Sequence, residues 1–306
     1  MRLLLLGGTD FAGRAVAEAA RDRGWDVTVF HRGEHPAPPG VTVLNGDRTE
    51  PGGLAALAEG SWDAVVDTWS AAPRIVRDSA RLLAERAERY VFVSSRSVYT
   101  WPIPAGLDED GPVVDADPDA DATDYAADKR GAELAVLREF GDKRSLLVRA
   151  GLLLGPRENS GRLPWWLKRI ALGGPLLAPA PRDTPLQYVD VRDMAAWILD
   201  ALESGLSGPY DMVSAPGHTT IGELLDACVT ATGAGTKLVW VGQDVLDAAE
   251  VSGWSDLPIW CPPGGELHDA LHCGDVTRAL STGLRVRPVA ETVEDTWAQL
   301  NATDGD

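Results

Sequence analysis

The stretch Arg2-Leu3-Leu4-Leu5-Leu6-Gly7-Gly8-Thr9-Asp10-Phe11-Ala12-Gly13 settles the architecture to expect of this chain. Its apolar run is long enough for a buried strand and far too short for a membrane span or a signal-peptide core. Gly7 and Gly8 stop the run, and a helical apolar period takes over across 12–23 until Gly24 ends it. A strand that enters a helix through glycines lets backbone pass close to a pyrophosphate, while the helix amino terminus offers free N–H groups and the positive end of its dipole. Gly7 and Gly13 hold the outer places of a Gly-x-x-Gly-x-x-Gly spacing, but Asp10 holds the middle one. An anion there opposes a pyrophosphate unless its side chain turns to solvent, and Arg14 is the nearest charge to offset it.

Outward from this turn, short β-rich runs alternate with amphipathic stretches. Strands are expected at 26–31, 41–44, 64–67, 90–94 and 145–154, and helices at 73–89, with Pro in its first turn, and 124–140. The alternation predicts an α/β protein: a Rossmann-type doubly wound parallel sheet with a smaller C-terminal substrate-binding region. The dinucleotide-binding part is assigned to 1–155 plus 189–213, with a returning helix over 189–204. The substrate-binding part takes 156–188 and 214–306. The segment 101–124, rich in Pro and acidic residues, is expected to be a solvated loop at the rim of the site.

Composition narrows the function classes. Hydrophobic residues make up 44% and charged residues 24%, ample material for a core. A formal net charge of −18 repels phosphate backbones and anionic lipid, so neither nucleic acid nor a membrane is an expected partner; a small-molecule substrate is. Three scattered cysteines without a Cys-x-x-Cys pair give no disulfide framework, and with no leader segment the expected location is cytoplasmic. The 11 Trp outnumber the 5 Tyr and 4 Phe together. Their faces suit planar or sugar-like ligands, yet packing is the commoner use and the expectation for Trp165, Trp166, Trp254 and Trp260.

The end of the second strand reports on the nucleotide. A carboxylate there would accept from a ribose 2′-hydroxyl, but His31-Arg32 stand in its place, and Arg32 can make charge-assisted bonds to a 2′-phosphate. NADP is therefore the expected cofactor, with NAD as the alternative. Asp47, closing the third strand, is placed to accept from an adenine amino group, although turn chemistry after Gly46 explains it equally well. Further on, Tyr125-Ala126-Ala127-Asp128-Lys129 puts a phenol and an ammonium one helical turn apart on one face. An ammonium beside a phenol favours the phenolate and eases proton exchange with an alcohol. One crossover earlier, Ser94-Ser95-Arg96-Ser97-Val98-Tyr99 ends a strand and can offer a hydroxyl to the same substrate oxygen.

The glycine turn, Asp47, the Ser-Ser-x-Ser-Val-Tyr run, Tyr-x-x-x-Lys and Leu152-Leu153-Leu154-Gly155-Pro156 occur in that order. Together with Leu186-Gln187-Tyr188-Val189-Asp190-Val191-Arg192-Asp193, the chain resembles the extended short-chain dehydrogenase/reductases, the NAD-dependent epimerase/dehydratase group. The resemblance implies that Tyr125 is the acid/base, that Ser95 orients the reacting oxygen and that Lys129 also binds the nicotinamide ribose. It implies that Gly7, Gly8 and Gly13, with Thr9, Phe11 and Ala12 between them, line the pyrophosphate. Ser97 is the second candidate for the serine role and a substrate contact, as are Arg157 and Gln187; Arg162 is a further arginine near the expected cleft. Departures from the group are Asp10, Ala150 in place of a proline, and Arg96-Ser97 where sugar-nucleotide dehydratases carry an Asp-Glu pair, which argues against dehydration.

The function these residues imply is NAD(P)-dependent reduction of a carbonyl, or oxidation of a secondary alcohol, on a small polar or sugar-like metabolite. The alternatives are a sugar-nucleotide epimerase with tightly bound NAD, and a non-catalytic nucleotide- or RNA-binding relative of the Gly-Gly-Thr-x-Phe-x-Gly subgroup. Pairing of relatives through helices like 73–89 and 124–140 implies a homodimer. His268, His272, Cys261 and Cys273 lack a recognised ligand spacing, so no metal is expected.

Overall fold

The structure, a computed structural model, describes residues 1–303. In chain order the first elements are β1 (Arg2–Leu6), α1 (Phe11–Asp22), β2 (Asp26–His31), β3 (Thr42–Asn45), β4 (Trp62–Asp67), α2 (Pro73–Leu83), β5 (Ala87–Ser95), α3 (Tyr125–Phe140) and β6 (Ser145–Ala150). There follow β7 (Leu153–Leu154), α4 (Arg162–Ala171), β8 (Pro175–Pro179), β9 (Pro185–Leu186), β10 (Val189–Asp190), α5 (Val191–Glu203) and β11 (Gly208–Met212). The chain continues through β12 (Thr219–Thr220), α6 (Ile221–Thr232), β13 (Lys237–Val241), α7 (Gln243–Ala248), α8 (Glu266–His272), α9 (Thr277–Ser281) and α10 (Val289–Thr303).

Seven strands form one parallel sheet in the order β11-β6-β5-β4-β1-β2-β3, so the expected doubly wound Rossmann-type sheet is present. The leucines of β1 explain its central place. Leu3 and Leu5 join a cluster with Val16 and Ala20 of α1 and Ile198 of α5, while Leu4 and Leu6 join one with Val76 of α2 and Val136 of α3. All four are fully buried, each contributing on the order of 2 kcal/mol. A strand apolar on both faces is what helices on both sides of a sheet require.

A separate apolar cluster gathers Leu163, Trp166 and Leu167 of α4, Leu224 and Leu225 of α6, Tyr188, Ile259 and Trp260. Short two-stranded pairs, β13 with β8, β12 with β9 and β10 with β7, frame it. Among the described residues no helix is long and apolar enough to cross a membrane.

Three expectations need correction. The helix expected over 73–89 stops at Leu83, because Ala87 pairs with Trp62 and starts β5. The strand expected over 145–154 breaks at Gly151, where the backbone N–H goes to Met212 O and β7 turns to pair with β10. The loop 101–124 is not simply solvated: Glu109 is buried, accepts the N–H of Asp211 at 2.9 Å and meets Arg278 at 3.4 Å.

Candidate active site

Two cavities open where the strand order reverses between β1 and β4, at the carboxyl edge of the sheet. They share Asp10, Thr68 and Ser70. The smaller, about 260 Å³, is lined by Gly7, Thr9, His31, Arg32, Asp47 and Arg48. The larger, about 810 Å³, has Phe11, Ala12 and Gly13 together with Ser95, Ser97, Tyr125 and Lys129 in its wall.

The turn after β1 leaves no room for side chains. A Cβ on Gly7, whose φ is +106°, would lie 2.7 Å from Thr68 Oγ1, and one on Gly13 would lie 2.8 Å from the Gly8 nitrogen. Backbone therefore faces the opening, as a pyrophosphate needs. Asp10 is solvent-exposed and still engaged: Oδ1 accepts from Phe11 N at 3.0 Å and caps α1, while Oδ2 accepts from Asn159 Nδ2 at 2.8 Å. Arg14 does not offset it, being engaged with Glu18 at 2.8 Å and the Pro36 carbonyl at 3.0 Å. Arg32 pairs with Glu34 at 2.9 Å, and His31 Nδ1 accepts from Gly33 N at 3.1 Å. The Asp47 carboxylate accepts from the hydroxyl of Thr49 at 2.6 Å and its N–H at 2.9 Å, bonds that lower its pKa, so turn chemistry occupies it while it lines the cavity.

The other end is built on β5 and α3. Asp124 caps α3 by accepting from Ala127 N at 3.0 Å, and Asp128 accepts from both N and Oγ1 of Thr123. Tyr125 thus opens the helix and stands 51% exposed in the cavity wall. Lys129, one turn on, is buried and donates to Val93 O and Trp69 O, each at 2.7 Å. Burial pushes its pKa down to about 8. Ser95 Oγ accepts from Ser97 N and donates to Ser97 Oγ, both at 3.1 Å, so the two serine candidates are joined. Ser94 Oγ is buried without a partner among the described residues.

Beneath the serines lies a buried ionic network that spacing did not reveal. Arg96 Nε donates to Asp211 at 3.0 Å, Tyr99 OH donates to the same carboxylate at 2.7 Å, and Arg149 reaches Tyr99 OH at 3.2 Å and Glu133 at 3.0 Å. Burial pushes the Asp211 carboxyl up to about 6 even beside Arg96. A buried charge left single costs about 3–5 kcal/mol, so these residues fix the floor of the site.

Three sequence candidates lie outside both cavities, the first being Gly8, which is buried and packed against Leu5 and Val29. Arg157 is exposed, with its N–H bonded to Gln299. Gln187 is fully buried: Nε2 donates to Ser214 O and Gly274 O, and Oε1 accepts from Gly274 N. Its own N–H donates to His272 Nδ1, whose ring also meets Ile259 O at 2.9 Å. Cys273 and Asp269 instead lie beside His268, at 3.7 and 3.8 Å from its Nδ1. Trp166 and Trp260 are core residues as expected, but Trp254 lines the larger cavity with Trp101, Asn159 and Arg162.

Residues 3–213 match the sequence pattern of the NAD dependent epimerase/dehydratase family. The chain is 28% identical over 255 residues to the cattle (Bos taurus) epimerase family protein SDR39U1, covering 76% of this chain and 81% of that protein. The human SDR39U1 structure, solved with NADPH, superposes with a TM-score of 0.63 at 23% identity, over 97% of this chain and 99% of the other. The Bordetella bronchiseptica enzyme WbmH, solved with NAD+, gives a TM-score of 0.68 at 19% identity over 98% of both chains.

Proposed function

We propose that this chain, which belongs to the NAD dependent epimerase/dehydratase family, is an NADP-preferring oxidoreductase that reduces a carbonyl, or in reverse oxidises a secondary alcohol, on a small polar or sugar-like metabolite. The observation that carries the reading is the half-exposed Tyr125 phenol in one cavity wall with Ser95 and the buried Lys129 ammonium, beside the glycine turn. When bound, a nicotinamide dinucleotide supplies or accepts the hydride. Tyr125 gives its phenolic proton to the carbonyl oxygen and is reprotonated from solvent. Ser95 exchanges its bond to Ser97 for one to the same oxygen. Lys129, held by Val93 and Trp69, supplies positive charge in the same cavity wall, a charge that favours the oxyanion side of the transfer. Residues 156–188 and 214–306, the last three of which lie outside the described residues, serve as the substrate-binding region.

Arg32 and His31 in the smaller cavity support NADP: a 2′-phosphate takes Arg32 from Glu34. Glu34 itself favours the second reading, an epimerase that retains NAD, because its carboxylate lines the same cavity and can accept from a ribose hydroxyl. Gently purified protein is denatured and the released nucleotide identified by mass, then NADPH and NADH are titrated against stripped protein. The expected outcome is no stoichiometric NAD and tighter binding of NADPH. Stoichiometric NAD with no affinity for NADPH assigns the epimerase instead.

A further inference from the structure

The larger cavity holds three cationic side chains, and two are committed: Arg96 to Asp211, Lys129 to two backbone carbonyls. Arg162 differs. It is the first residue of α4, and its guanidinium has no carboxylate within ion-pair distance among the described residues, in a chain of net charge −18 where most arginines have one. The nearby Glu158 carboxylate is buried and serves α4, accepting from Arg162 N at 2.6 Å, Leu163 N at 3.1 Å and the Ser160 hydroxyl. The guanidinium carbon of Arg162 lies 4.8 Å from the centroid of the Trp254 ring, a stacking distance that keeps the donor fork flat.

Trp254 is itself held unusually. Its φ of +67° lies in the left-handed region that a bulky side chain seldom adopts, and its N–H is fixed by Trp260 O at 2.7 Å. Strain of this kind persists where the surroundings over-determine it and gathers at ligand sites. The same cavity wall carries the apolar Ile103, Val114, Leu267 and Leu271 and a 53% exposed Trp101, with the polar Asn159 and Ser160 just before Arg162 in the chain.

We infer that Arg162 on Trp254 is an oxyanion platform, and that the substrate carries a carboxylate or phosphate monoester on an apolar or planar body. The inference rests on the reductase reading for the reacting carbonyl and deepens it. The guanidinium donates two parallel N–H bonds to the oxyanion, the ring holds the fork in place, and the apolar wall covers the body that joins oxyanion to carbonyl.

The test compares 4-formylbenzoate, 4-formylphenyl phosphate and neutral methyl 4-formylbenzoate as substrates with NADPH, for wild type, R162Q and R162K. Hydride to the aldehyde carbon and a proton to its oxygen give the benzyl alcohol and NADP+. Wild type is expected to favour an anionic aldehyde over the ester by about ten- to a hundredfold in kcat/KM, the range of a charged hydrogen bond. R162Q loses that preference through KM, and R162K, which keeps charge without the fork, recovers part of it. The lower KM of the two anionic aldehydes assigns carboxylate or phosphate. In parallel, calorimetry measures 2-naphthoate and 2-naphthamide on NADP+-loaded protein, with melting curves to confirm that each variant folds. Naphthoate binding at least tenfold tighter than the amide, and lost in R162Q but partly kept in R162K, supports the platform even if no aldehyde is reduced, an outcome that refutes only the reductase reading. Equal binding of naphthoate and naphthamide, or anionic and neutral aldehydes reduced alike, overturns the platform and leaves the reductase standing.

Discussion

The two walls of the larger cavity are held in different ways. Ser95 ends a sheet strand and Lys129 sits inside a helix, both locked by backbone bonds that the sheet imposes. Arg162 and Trp254 stand at a helix start and in an irregular loop, and they meet ring to guanidinium with nothing regular between them. The first wall, tied into the sheet and a helix, leaves Ser95 and Lys129 little freedom to move. The second can be exchanged piece by piece, so substrate choice can vary without disturbing the chemistry.

The largest effect expected bears on the rigid wall. Tyr125→Phe should lower kcat by about 10²- to 10⁴-fold, the usual share of a positioned acid, while NADPH binding by fluorescence stays within about twofold. A small loss of kcat would erase the contrast, because the proton would then come from elsewhere. Gln187→Leu tests whether that residue belongs to framework rather than site. Three backbone groups lose their partner, so the denaturant midpoint should fall by an equivalent of about 2–4 kcal/mol with KM unchanged. A raised KM at full stability would return Gln187 to the cleft.

A smaller effect follows from pH. Lys129 titrates near 8 because burial disfavours its charged form, so the charge is present below that value and lost above it. Steady-state reduction should therefore fall by up to about tenfold between pH 7 and 9, and a rate that keeps rising would break the role given to the ammonium. The smallest expected effect is at the turn. Asp10→Gly removes the carboxylate at the amino terminus of α1 and should tighten NADPH several-fold in titration, at a cost of about 1 kcal/mol in stability from the lost cap. Weaker binding would mean that Asp10 assists the nucleotide.

The sheet was legible because its information is local. Leu3 to Leu6 and the following glycines specify a strand, a turn and a helix without reference to the rest of the chain. The end of α2 was not legible: nothing between Leu83 and Ala87 breaks a helix, and pairing with Trp62 decides the boundary. The motif residues Ser95, Tyr125 and Lys129 were brought to one cavity, whereas Arg157 and Gln187, chosen for nearness to motifs, face elsewhere. Nearness in sequence fixes the backbone's place and leaves the side chain's direction open. The importance of Trp254 was hidden for a related reason, since its backbone twist and its arginine partner both depend on distant segments. Glu109 looked solvated because its neighbours in the acidic loop are; the buried N–H of Asp211 that claims it is far along the chain.

Trp69 touches both halves of the nucleotide cleft. Its ring lies 4.5 Å from the guanidinium of Arg48 in the smaller cavity, and its carbonyl accepts from Lys129 in the larger. A lineage drifting toward another dinucleotide by changing the adenosine end would thus shift the perch of the ammonium as well. With Tyr125 and Lys129 acting as proposed, an exchange at the Arg48 end that moves Trp69 also moves the carbonyl that holds the ammonium.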